Sequence, residues 1–510
     1  MESLKEKTAK GLFWGGMNNG VQQLLGLVFG IVLGRLLDPS DYGMTAMLAV
    51  FSVIANELQS SGFKTGLINL REPRHEDYNA VFWFNIVAGA LLYVVLWLAA
   101  PLIADYYHQP ALVALSRYMF LGFVLSSFGI AQSAWLTKQM QIKQIAKCGM
   151  TATLSSSLVS VTMAALGFGY WALATQYLMY IAVNTGLMWH FSSWRPTLFS
   201  LHTPPSTLHE TFLLPLKRLF PFSFRIMLSA IFTQLNANVM NLLLGRYYGR
   251  VSTGHYNQAY QWSTKGSSLV ANMLRQVDQT VLVGLTDERA RQLAVLRKMV
   301  RFTAFIAFPL LFALAMVSHE FIVLAIGQKW AFAASLLPWL CVSGAFMPLS
   351  TLLTDAVISR HRSDIFLWGT VALGVLQIAL LLVLKSEGIL AMVMGYTALN
   401  IVWVFVWQWF VGRLMGYGFG AFLKDVVPFA LAAAAVMVVT GYVVEFTVCG
   451  LSSCVPTVAS GMAERTGDYL KLWVLFISKV LMAAVMYYAV MRLAGVVILK
   501  EIIGFVKGRL

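Results

Sequence analysis

An all-α polytopic membrane protein with about 14 transmembrane helices is predicted by three features of this 510-residue sequence. Hydrophobic residues make up 58% of it and charged residues 12%, with a mean hydropathy of +0.71, a balance no ordinary soluble domain presents at its surface. Apolar runs of about 20 residues, the length that crosses about 30 Å of hydrocarbon, recur along the whole chain. Lys and Arg concentrate in alternate connecting segments, as they do when successive helices cross a bilayer in opposite directions.

Span one, 12–34, follows a basic start containing Lys5, Lys7 and Lys10. That start resembles a signal peptide, but no small-residue cleavage site closes a short apolar region, so it reads as an uncleaved helix. Spans two to six, 43–62, 80–103, 112–135, 148–167 and 170–191, follow with short loops between them. Residues 192–220 hold four prolines and form the longest polar segment on the inner side, a linker centred on 201–218. Spans seven to twelve are 220–244, 255–284, 301–325, 333–357, 364–385 and 388–411, and spans thirteen and fourteen, 426–447 and 470–493, complete the set. The predicted organisation is an N-terminal six-helix bundle over 1–200, a second over 219–415, and two further helices with a tail over 416–510.

With the N-terminus inside, inner segments hold 25 of the 37 basic residues and outer loops hold 7. The other five, Arg117, Arg225, Lys265, Arg275 and Lys479, fall within spans. Both termini are therefore expected to be cytoplasmic. The net charge of +15 belongs to short loops flanking the spans, which makes membrane lipids the expected partner and nucleic acid not one.

The chain contains an internal repeat. "GRLLDPSDYG" begins at Gly34 and "GRYYGRVSTG" at Gly245, an offset of 211 residues, and each joins a polar-striped helix to the next span. At the same offset Gln23 falls on Gln234, Asn18 on Ser229, Gly26 on Ala237 and Lys64 on Arg275. Span one thus corresponds to span seven. Six spans separate the copies, and because six is even the two bundles are expected to share one orientation, as parallel repeats about an axis along the membrane normal.

Each bundle opens with a polar helix. In span one Asn18, Asn19, Gln22 and Gln23 interrupt an apolar run, and Gly15, Asn19, Gln22, Gly26 and Gly30 fall on one helical face. In span seven Ala230, Gln234, Asn238, Asn241 and Gly245 do the same. Lipid offers amides no partners, so they face either a neighbouring helix, as small-residue packing requires, or a shared water-filled cavity. Charges inside the spans bear on that choice, because each costs roughly 2.5–3.5 kcal/mol at mid-membrane. Lys265 and Arg275 are the first candidates to line such a cavity, and a surplus of cations there would select an anion, a phosphate or diphosphate. Arg225 and Arg117 lie nearer helix ends, where snorkelling to the headgroups is the other reading. Glu57 and Asp278 are the candidates for charge pairing or coupling, Asp278 being spaced to pair with Arg275.

Several chemistries are missing. No Ser/His/Asp constellation, Walker loop, zinc spacing or close carboxylate pair occurs, and the 22-residue outer loop offers only Glu464 and Asp468, so neither an enzyme nor a metal or cofactor is expected. His75, His202, His209, His255 and His361 are expected to be solvated. Cys148 and Cys341 read as packing residues, while Cys449 and Cys454 either pair in an oxidising compartment or remain free thiols.

Five stretches carry a family resemblance: "GRLLDPSDYGMTAMLAVFSVIANELQSSGFKTGLI" (34–68), "APLIADYY" (100–107), "GFGYWALATQ" (167–176), "LGRYYGRVSTGHYNQAY" (244–260) and "IGQKWAFAASLLPWL" (326–340). In order and spacing they resemble polysaccharide (Wzx-type) flippases, within the superfamily that also holds the multidrug and toxic-compound (MATE) extruders. The resemblance covers about residues 11–414. It implies a V-shaped transporter of two six-helix bundles in the bacterial inner membrane. Its cargo is then an undecaprenyl-diphosphate-linked oligosaccharide, carried to the outer leaflet by alternating access, with a glycan polymerase and export machinery as partners. Some relatives have an acid in the helix matching span seven, where this chain has Asn238 and Asn241, so coupling to protons or sodium through that helix is left open. A MATE-type cation antiporter and a flippase of peptidoglycan precursors are the neighbouring alternatives.

Overall fold

The computed structural model describes residues 4–197, 214–275, 288–360, 362–452, 461–494 and 499. Among them the regular elements are helices. In chain order these are α1 (Leu4–Leu36), α2 (Pro39–Asn69), α3 (His75–Tyr107), α4 (Leu112–Ser127), α5 (Ile130–Lys138), α6 (Ile142–Ala165) and α7 (Tyr170–Phe191). After the linker come α8 (Leu214–Arg275), α9 (Arg289–Met316), α10 (Ser318–Ile326), α11 (Ala331–Ser359), α12 (Ser363–Leu384), α13 (Ile389–Met415), α14 (Phe419–Ser452) and α15 (Gly461–Leu493). Nine described helices are long and apolar enough to cross a membrane, and α4 with α5, bent by 43°, forms a tenth. The remaining four predicted spans correspond in position to α2, α7 and the two arms of α8, which are more polar.

Local chemistry sets the ends. Pro39 opens α2 at the one helical position where a missing N–H costs nothing, and the backbone N–H of Asp38 donates to Asp41 Oδ2 at 3.0 Å. The N–H of Arg74 donates likewise to Asp77 Oδ2, at 2.8 Å, where α3 begins. α8 carries spans seven and eight in one run, broken at Gly249, whose φ of 74° lies in the left-handed region. Span four was expected as one helix over 112–135 and instead breaks between Ser127 and Ile130. There Ser126 and Ser127 donate to the carbonyls of Phe123 (3.2 Å) and Val124 (2.6 Å), side-chain bonds that compete with the helix ladder.

The chain forms two compact units, Met1–Gly254 and His255–Leu510. The boundary falls inside α8, so the first arm of α8 belongs with the N-terminal unit. In that unit Met44, Met47 and Leu48 of α2 interlock with Tyr107 of α3 and with Phe120 and Phe123 of α4. A second, aromatic cluster gathers Tyr78, Phe82 and Trp194. Because lipid is as apolar as these side chains, close packing and dispersion rather than expulsion from water hold the helices together.

In the second unit, α8 meets α11 through hydroxyls and a glycine. Ser263 donates to the carbonyl of Leu340 at 2.7 Å and Ser267 to that of Gly344 at 2.9 Å. Two ion networks fasten α14 and α15. Asp425 of α14 accepts from Arg297 (2.8 and 3.2 Å), Arg301 (2.7 Å) and the Tyr417 hydroxyl (2.8 Å). Burial, followed by the Asp425 carboxylate, pushes the Tyr417 hydroxyl well above its ordinary range, so it remains a donor. Lys479 of α15 is buried and lies 2.7 Å from both Glu320 of α10 and Glu445 of α14. Cys148 and Cys341 are free and buried. Cys454, His202, His209, His361 and the side chains of Cys449, Glu464 and Asp468 lie outside the described residues, as does most of the 201–218 linker.

Candidate functional site

The amides of α1 divide between two surroundings. Gln22 Nε2 donates to Asn18 Oδ1 at 2.9 Å, and the pair lies against Gly149 of α6. A Cβ at 149 would come within 2.5 Å of Gln22 Nε2, so the glycine makes room for the amide pair. Asn19 is turned about 100° around the helix from Asn18 and is exposed, beside the open Gly16 and Gly20, while Gln23 is half-buried. The stripe expected as one face therefore splits: Asn18 and Gln22 enter a helix seam, and Asn19 stays open.

The first arm of α8 turns its amides toward α2. Gln234 Nε2 donates to Glu57 Oε1 at 3.3 Å, and Asn238 Nδ2 donates back to the Gln234 carbonyl at 3.0 Å. Asn241 is buried, and its Oδ1 accepts no hydrogen bond from the described residues.

The intramembrane cations are placed as follows. The Arg117 guanidinium stacks 3.9 Å over the ring of Trp97, a cation–π contact worth about 0.5–2 kcal/mol. Lys265 is half-buried, its ammonium 4.2 Å over the ring of Trp262. Asp278 and the side chains of Arg225 and Arg275 lie outside the described residues. The expectation that His255 is solvated is corrected: it is buried, edge-on to Trp330 and Phe332 at 5.6 and 5.5 Å. An imidazole at a helix start packs as an aromatic when neighbouring rings close over it.

The two copies of the repeated motif meet each other. A Cβ on Gly43, the last residue of the first motif, would fall 1.7 Å from the backbone oxygen of Arg250. One on Gly254, the last residue of the second, would fall 1.8 Å from the backbone oxygen of Pro39. Gly43 and Gly254 are 211 residues apart, and so are Pro39 and Arg250. The contact is therefore reciprocal, as an isologous two-fold interface is. Side chains brace it: Gly245 lies against Tyr107 and Met47, and Arg246 donates to the Tyr106 carbonyl and to His108 Nε2. Sequence reasoning found the repeat but not that its copies touch. The signal available was the glycine closing each motif, a residue that admits another backbone where any side chain would block it.

The many long apolar helices make this a multi-pass membrane protein. The chain belongs to the family described as "Polysaccharide biosynthesis protein", whose model matches residues 32–335. It is 27% identical over 370 residues to the lipopolysaccharide biosynthesis protein WzxC of Escherichia coli K12, covering 71% of this chain and 72% of that one. With the teichuronic acid biosynthesis protein TuaB of Bacillus subtilis 168 it shares 23% identity over 440 residues, 85% and 88% of the two chains. Its fold is that of the lipid II flippase MurJ in an inward closed conformation, at a TM-score of 0.68 and 11% identity, over 94% of this chain and 99% of that one. An inward-facing MATE multidrug transporter matches at 0.61 and 16% identity, over 77% and 95%.

Proposed function

We propose that this protein is a flippase that carries an undecaprenyl-diphosphate-linked oligosaccharide from the cytoplasmic to the outer leaflet by alternating access, for polysaccharide export. The observation that carries the reading is the family match over residues 32–335 in a chain of many apolar spans. Basic residues set the motif-bearing ends of the spans outside, so the reciprocal contact at Gly43 and Gly254 fastens α2 to α8 at the outer end of the N-terminal unit. Alternating access is a rocking of the first six-helix bundle, 1–200, against the second, 219–415.

Names of the relatives support the cargo: lipopolysaccharide, teichuronic acid and, for a Rhizobium meliloti transport protein 23% identical over 402 residues, succinoglycan. Lys265 and Arg275 hold the diphosphate, with Arg225 and Arg117 in support, and Asn19, Gln23, Gln234 and Asn238 exchange water for glycan hydroxyls. Asn18 and Gln22 keep the first polar helix seated on α6. Glu57, already bonded to Gln234, is the residue through which an ion gradient would act, and no cofactor or bond-making chemistry takes part. The protein resides in the bacterial inner membrane with both termini cytoplasmic and hands its cargo to a glycan polymerase and export machinery.

Replacing Lys265 and Arg275 separately by Ala tests the assignment. Lipid-linked oligosaccharide is expected to accumulate on the cytoplasmic face in each variant. Normal delivery in both removes these residues from the site, and normal delivery in cells lacking the protein altogether removes the function.

A further inference from the structure

The N-terminal unit contains a cavity of about 350 Å³ lined from α2, α4, α5 and α7, at the small end of the roughly 300–1,000 Å³ range of small-molecule sites. It opens beside the break between α4 and α5. Gly129, in that break, faces Thr185 Oγ1, and a Cβ at 129 would come within 3.0 Å of it, so the glycine keeps the cavity clear.

We propose that this cavity binds a phosphate ester, with Lys64 as the cation that selects it. Lys64 lines the cavity, and among the described residues no carboxylate lies within ion-pair distance of its ammonium. Around it stand Ser133 of α5 and Tyr177, Tyr180, Asn184 and Thr185 of α7. None of these side chains hydrogen-bonds to another described residue, so their donors remain unspent and reach the cavity. A desolvated ammonium left unpaired inside a membrane protein is costly, and four hydroxyls and an amide without partners add to that cost. An anion rich in acceptor oxygens satisfies all of them together. Phosphate oxygens accept from a Lys point charge and from hydroxyls at several angles, whereas an ordinary neutral sugar leaves the ammonium uncompensated.

The duplication strengthens the assignment, because the residue 211 positions after Lys64 is Arg275. Each copy of the repeat therefore carries a cation at the equivalent position in the sequence. The inference rests on the flippase reading only for the source of the phosphate, since the headgroup of a membrane phospholipid offers the same chemistry.

The test uses the purified full-length protein in micelles of a maltoside detergent, which carries no phosphate, with undecaprenyl diphosphate as one probe and phosphatidylglycerol as the other. Lys64→Gln is expected to weaken binding about tenfold, the loss of one charge-assisted hydrogen-bonding group, while Lys64→Arg stays close to wild type. Ser133→Ala and Asn184→Leu, which leave the cation in place, are expected to weaken it severalfold and guard against a folding defect in Lys64→Gln. Loss confined to undecaprenyl diphosphate assigns the cavity to cargo, and loss confined to phosphatidylglycerol assigns it to a lipid headgroup. Equal binding of both probes to wild type and Lys64→Gln overturns the proposal. If binding depends on Lys64 but cells lacking the protein still export glycan, the site stands and the flippase reading falls.

Discussion

Gly249 shows how one residue sets a turn between two spans. Its φ of 74° is strained for any L side chain by roughly 1–2 kcal/mol. Gly249→Ala is expected to lower unfolding stability by about that amount in detergent, and Gly249→Asn by no less, because the ψ of −176° lies outside the left-handed pocket that Asn tolerates. The amides of α1 make a finer distinction. Gln22→Leu removes a hydrogen bond within α1, worth about 0.2–0.5 kcal/mol, and is expected to leave transport near normal. Asn19→Leu removes an open amide and is expected to slow glycan delivery with little change in stability. Assays of delivery and thermal unfolding on the same two variants separate packing from cavity lining. Both residues were legible in the sequence as intramembrane amides. Which one packs and which stays open depended on where α6 places Gly149, a contact more than 120 residues away in the chain.

At the scale of helices, α14 and α15 were readable as spans, but their attachment was not. Asp425 and Lys479 look like isolated charges near or within apolar runs until the fold brings Arg297, Arg301 and Glu320 to them. Removing the cation from a buried pair leaves an uncompensated charge and costs about 3–5 kcal/mol. Lys479→Met is expected to approach that loss because Glu320 is buried with it, and Lys479→Met combined with Glu320→Gln is expected to recover much of it. Asp425→Asn is expected to cost less, on the order of 2 kcal/mol, since its arginines are partly exposed and screened. Chemical unfolding of the reconstituted variants checks all three. Span four illustrates the opposite limit of pattern reading: summed hydropathy runs straight through 112–135, yet the helix breaks between Ser127 and Ile130 and bends by 43° beside the Lys64 cavity.

For the molecule as a whole, the reciprocal glycine contact makes a prediction that single residues do not. Gly43→Ala and Gly254→Ala each place a methyl group against a backbone oxygen that cannot rotate away. Each alone is expected to hold the outer seam apart and reduce glycan delivery. Because both act on one two-fold contact, the double variant is expected to be little worse than either single one, with the changes failing to add. Additive losses in a delivery assay would mean that the two glycines serve separate structures and not a common contact.

By itself the sequence determined the solvent this chain lives in, the order of its spans, the duplication and the family, because apolar length, basic asymmetry and repeated motifs are local or periodic properties. Only the tertiary structure decided which polar groups are spent and which are available. That Asn18 is paired and Asn19 open, that His255 is enclosed by rings, and that Lys64 faces a cavity of unspent donors are all matters of what another helix brings within about 3–6 Å. The free energy of a polar group in a membrane is set by that neighbour, and its identity is fixed by folding over distances that spacing along the chain does not encode.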